Sequence, residues 1–250
     1  MKKRLQRLFP DMVSAPRTGT IIGTLIVSFM IYVFFPFALP WWFSQVADNM
    51  RLLAWVEIFY LVFCFLTIGI LMYAYLKDDF LNLQLDGRNF WKTVLTAMGL
   101  MVGYVAVLCM FAWALGFDAG SVLRRFPMEH QVAMMSYHYV LDILPGAGTV
   151  VLSLVPPVLL LGMHYAVGFA PVCARRQWLG YANIVLNLLL VTAFGILWRD
   201  QAGMQLASFA MRLPVHLLAC WAYQKADNAF APIAALVGFN LLACAVQILV

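Results

Sequence analysis

The feature that most constrains this chain is a recurrence of apolar stretches, each roughly twenty residues or longer, at about 20–43, 52–76, 93–117, 148–172, 178–198, 203–224 and 229–250. About twenty mostly apolar residues are what a helix needs to cross the hydrocarbon of a bilayer. Lipid offers backbone N–H and C=O groups no other partners, so such segments are expected to be helices. The expected fold class is therefore all-α: a single membrane domain over residues 1–250, built as a polytopic transmembrane helix bundle of seven spans, or eight if one is missed.

Composition agrees. Hydrophobic side chains make up 64% of the 250 residues and charged ones 11%, far from the near-even apolar content of soluble domains. Trp41, Trp42, Trp91, Trp178 and Trp198 sit near the ends of apolar runs, where amphipathic rings favour the headgroup layer. The first stretch follows Lys2, Lys3, Arg4, Arg7 and Arg17. It is longer than the apolar region of a signal peptide and lacks a convincing small-residue cleavage site, so it reads as a retained span. With the N-terminus inside, the cytoplasmic segments also hold Lys77, Arg88, Lys92, Arg175, Arg176 and Lys225, against only Arg51, Arg124, Arg125 and Arg199 outside. That bias predicts a cytoplasmic N-terminus; the expected location is a cell membrane of bacterial inner-membrane type.

The net charge of +5 comes from basic residues scattered through short connections, with no basic face, so nucleic acid is not an expected partner. Cys64, Cys109, Cys173, Cys220 and Cys244 lie within or beside apolar runs without metal-ligand spacing, and read as buried free thiols. In the long connection 118–147, Met128–Leu144 is expected to form a helix along the membrane surface. Its His130 and His138 are eight residues apart, which does not make them adjacent ligands on a helix. No metal or other cofactor is expected, and no hydrolase, zincin, phosphate-loop or dinucleotide motif is present.

Ionisable and strongly polar groups inside spans are costly, so they point to interior contacts. Glu57 and Arg212 lie at similar depth and are expected to pair across the bundle. His216 follows Arg212 by four residues, which puts both on one helix face, and Pro214 between them should weaken or bend that helix. With His164, Asn183, Asn187 and Asn240 they form a candidate polar pocket opening toward the cytoplasm. The competing reading is interhelical hydrogen bonding with no ligand.

The segment Leu217–Leu242, LLACWAYQKADNAFAPIAALVGFNLL, is a helix ending in an aromatic turn followed by an Ala-Pro-Ile helix. It resembles the final hairpin of the CPBP family of intramembrane proteases, the group of CAAX prenyl endopeptidases and bacteriocin-immunity or Abi-type membrane proteins. Phe80–Gly99, FLNLQLDGRNFWKTVLTAMG, resembles the connection before about the third span of that family, and the resemblance covers roughly residues 80–250. The family's chemistry rests on EExxxR, FxxxH and HxxxN or HxxxD motifs, which set a carboxylate base and imidazoles around a water or metal. Laid onto this chain, they fall on Ala174, Arg175 and Leu179, then Phe194 and Trp198, then Leu236 and Asn240, so only Phe194 and Asn240 match.

The resemblance with its catalytic groups missing implies a non-catalytic, CPBP-like membrane protein without assigned catalytic residues. It would bind and regulate, or protect against, another membrane or envelope protein. Two alternatives stay open. One is an active intramembrane endopeptidase with a divergent site built from His164, His216 and Glu57. The other is a small transporter subunit, suggested by the intramembrane charges and by Pro156, Pro157 and Pro214.

Overall fold

The computed structural model describes residues 73–85, 87–123, 177–199 and 202–249, with Ile26, Leu66 and Ile70 as isolated helical positions. The expected span at 148–172, that at 20–43 apart from Ile26, most of that at 52–76, the surface helix Met128–Leu144, and Glu57 and His164 lie outside the described residues. What is described is all-α. Six helices follow one another: α1 (Tyr73–Leu85), α2 (Gly87–Ala114), α3 (Ala119–Leu123), α4 (Gln177–Arg199), α5 (Ala202–Ala226) and α6 (Phe230–Leu249).

Several helix boundaries have a local cause. α2 is 28 residues long, about 42 Å at the usual rise, and its most apolar 18-residue window has a mean hydropathy of 2.2. It is one helix long and apolar enough to cross a membrane. It begins six residues before the expected stretch at 93, because Arg88, Asn89 and Lys92 lower hydropathy without breaking a helix. It stops at Ala114, three residues early, on a left-handed Gly116 with φ 79°. There the Phe117 amide donates to the Ala112 carbonyl at 2.8 Å and the Gly116 amide to Trp113 at 3.0 Å, the paired bonds of a Schellman stop. Asp118 then accepts from the Gly120 amide at 3.0 Å and starts α3.

α1 runs nine residues past the expected end at 76. The Lys77-Asp78-Asp79 run closes a hydropathy window, yet Asp79 is fully buried in the structure. α5 and α6 form an antiparallel hairpin. α5 ends on Asp227, a non-glycine residue at φ 48°, a left-handed conformation that Asp tolerates better than most residues.

The described core is formed by α2, α4, α5 and α6: α2 packs on both arms of the α5–α6 hairpin, and α4 packs on α5. α2 contributes Phe90, Val94, Ala97, Met101 and Val105, spaced by three or four residues so that they form one stripe. The hairpin contributes Ala219, Ala222, Ala231 and Ala235, all with no exposed surface, and these small side chains let the backbones approach closely. Gly238 extends this: a Cβ there would lie 2.6 Å from the Met98 methyl carbon, so only glycine leaves room for that side chain as it stands. Along the rest of α2, Trp91, Leu95, Leu100, Val107, Met110, Phe111 and Trp113 are exposed.

Candidate functional site

Four buried or partly buried polar arrangements stand out among the described residues. The first closes the hairpin turn. Asn228 accepts from the Phe230 amide through its side-chain oxygen at 2.8 Å, capping α6, while its side-chain nitrogen donates to the Asp79 backbone carbonyl at 2.6 Å. The Asp79 carboxylate accepts from the Ala229 amide at 2.7 Å. Two residues from distant parts of the chain thus satisfy donors at one helix start, where the positive end of the helix dipole favours an anion. Pro232, in the first turn, lacks an N–H at a position where the helix would leave one unpaired. Phe80 and Phe230, in edge-to-face contact at 6.3 Å between ring centres, pack beside this clasp.

The second arrangement joins α4 to α5: the Tyr181 hydroxyl donates to the Gln224 side-chain carbonyl at 2.7 Å. It also fixes the register of this antiparallel pair. The third lies at Pro214, inside α5. The Tyr104 hydroxyl of α2 donates to the Ala210 carbonyl at 3.1 Å. Ala210 is four residues before Pro214, so this is the carbonyl whose intrahelical donor the proline lacks. The expected weak point is bridged, and α5 runs through it without interruption.

The fourth arrangement is a level in the bundle. His216 lies twelve residues before Asn228 and Asn240 twelve after it, so in the antiparallel hairpin both sit about 18 Å of helix rise from the turn. Both are buried, His216 at 2% and Asn240 at 0% exposure. Neither side-chain polar atom of Asn240 has a hydrogen-bond partner among the described residues. That is costly, because a buried unmet amide loses its water without compensation. The Tyr181–Gln224 register brings position 187 of α4 within about two residues of the His216 level, with position 183 nearer the turn. The side chains of Asn183 and Asn187 lie outside the described residues. Arg212 is one turn beyond His216 and partly buried.

Of the sequence-derived pocket residues, then, Arg212, His216 and Asn240 fall in or next to one layer of the described bundle, and the backbone of α4 brings position 187 to the same level. Glu57 and His164 lie outside the described residues. Among the described residues no group of three or more His, Cys, Asp or Glu side chains is placed to hold a metal ion. Cys220 is buried, and the partly buried Cys109 points its sulfur at the Ala119 carbonyl, 3.9 Å away, where α3 packs on α2.

Sequence reasoning missed Asp79, Tyr104 and the Tyr181–Gln224 pair. Nothing local separates Asp79 from Asp78. Asn228, by contrast, carried a signal: an Asn two residues before a helix that has a proline in its first turn reads as an N-cap. Compared with known protein families, curated proteins and solved structures, the chain matches none.

Proposed function

We propose that this chain is a multi-pass integral membrane protein, CPBP-like over about residues 80–250, that acts without catalysis by binding and regulating, or protecting against, another membrane or envelope protein. The observation that carries the membrane part is the outward face of α2. In its most apolar 18 residues only 22% are buried, the reverse of a core helix in a soluble protein. An exposed strip of Trp, Leu, Val, Met and Phe side chains along about 42 Å has a favourable environment in lipid and none in water.

The absence of a catalytic role in the proposal is supported by how the described polar groups are used. Asp79, Asn228 and Tyr104 each meet a backbone group that the fold would otherwise strand. These are structural tasks in a bundle held together by close packing. The test has two stages. The full chain should stay in membranes through alkaline carbonate extraction. A photoreactive side chain at Leu95 or Val102, both exposed on α2, should then give a discrete, stoichiometric protein adduct in native membranes. Release by carbonate removes the membrane reading, and adducts to lipid alone remove the binding reading.

One observation favours a second reading, a small transporter subunit: the unmet amide of Asn240 in the layer with His216. Solute flux in proteoliposomes, lost in Asn240→Leu while the protein stays folded, would replace the binding proposal with this one.

A further inference from the structure

We propose that Pro214 and Tyr104 form a latched hinge in α5, about which the N-terminal half of the helix moves relative to the C-terminal half. Three observations converge on it. Proline at 214 removes the amide that would bond the Ala210 carbonyl, which locally weakens the helix. A side chain from another helix takes that carbonyl instead, the Tyr104 hydroxyl at 3.1 Å. Burial also changes at this point. On the C-terminal side Val215, His216, Ala219, Cys220, Ala222 and Tyr223 are all buried. On the N-terminal side Ser208 alone among the described side chains of α5 is buried, and Leu206 is 56% exposed.

The C-terminal half is therefore held in the core and anchored by the turn clasp, while the N-terminal side meets the core through the partly buried Phe209, Met211 and Leu213 and is tied at the Ala210 carbonyl by the Tyr104 hydroxyl. Helix segments with few buried contacts open at lower free energy than segments in the core. Movement at Pro214 changes the position of Arg212 relative to His216, because the proline lies between them. The hinge thus sits beside the polar layer and controls its geometry.

The latch makes a prediction that a merely stabilising tyrosine does not. Tyr104→Phe removes the donor and leaves the ring, so amide exchange across Ala202–Leu213 should accelerate about tenfold while Val215–Ala226 stays unchanged. Pro214→Ala supplies a new amide to the Ala210 carbonyl. In that background Tyr104→Phe should alter exchange by less than about twofold, because the carbonyl then has a partner within its own helix. The measurement is hydrogen–deuterium exchange with mass spectrometry on the full chain in lipid nanodiscs, for the wild type, both single variants and the double variant. Tenfold local acceleration that disappears in the Pro214→Ala background establishes the hinge. Equal acceleration in both backgrounds, acceleration spread along all of α5, or no acceleration overturns it.

Discussion

The turn of the α5–α6 hairpin and the middle of the same hairpin handle polar groups in opposite ways. At the turn, Asp79 and Asn228 are almost completely buried, and three hydrogen bonds of 2.6–2.8 Å join them to each other and to the start of α6. About 18 Å along, Asn240 is equally buried and its amide has no partner among the described residues. Both regions cost desolvation; the turn recovers much of it in three hydrogen bonds, and the Asn240 amide recovers none among the described residues. The difference separates a part of the molecule that fixes the fold from a part that tolerates an energetic fault. Faults of that kind persist where something other than stability keeps them.

Four substitutions can break or sharpen this contrast. The largest effect is expected for Asp79→Ala, which strands the Ala229 amide at a buried helix start and should cost about 2–3 kcal/mol. Reversible unfolding of the purified protein in mixed micelles measures it, and a cost under about 0.5 kcal/mol would mean that the clasp does not hold the turn. Asn228→Ala removes the cap of α6 and the bond to the Asp79 carbonyl, for an expected loss of about 1–2 kcal/mol in the same assay. Combined with Asp79→Ala it should cost clearly less than the sum of the two, since both groups serve one turn.

Closer to the middle, Gly238→Ala sets a methyl group against the end of the Met98 side chain, which is flexible and can shift. The expected loss is about 1 kcal/mol, and shortening Met98 to Ala in the same chain should recover part of it. Asn240→Leu has the smallest predicted effect, between no change and a gain of about 1 kcal/mol, because it removes an unmet amide and keeps the branched four-atom shape of the side chain. A loss larger than about 1 kcal/mol would show that Asn240 has a partner after all and would erase the contrast.

The sequence made the helices legible to different degrees. The apolar stretches expected at 178–198, 203–224 and 229–250 correspond to helices Gln177–Arg199, Ala202–Ala226 and Phe230–Leu249, within two residues at every boundary. Hydropathy locates these well, because each is framed by charged or turn-forming residues such as Lys225 and Asp227. It fails at α1, where the same charged run that closes the apolar window lies inside the helix. A window average counts Asp79 as polar surface, and only a partner 150 residues away turns it into a buried cap.

The candidate site divides in the same way. Placing Arg212 and His216 on one face needed only their spacing of four. Finding that His216 and Asn240 share a level needed the hairpin turn, and finding position 187 near that level needed the Tyr181–Gln224 contact. Pro214 was visible as a weak point, but the residue that bridges it was not, since Tyr104 is 106 positions away from the carbonyl it serves.

By itself, then, the sequence determined that the described part of this chain is helical and where its C-terminal helices run, because local hydropathy, capping residues and proline placement act over a few neighbours. The tertiary structure alone decided that Asp79 is buried, which tyrosine meets the stranded carbonyl and which polar residues lie level. Those outcomes depend on hydrogen bonds between residues far apart in the chain, and such partners are chosen by packing rather than by any pattern along the sequence.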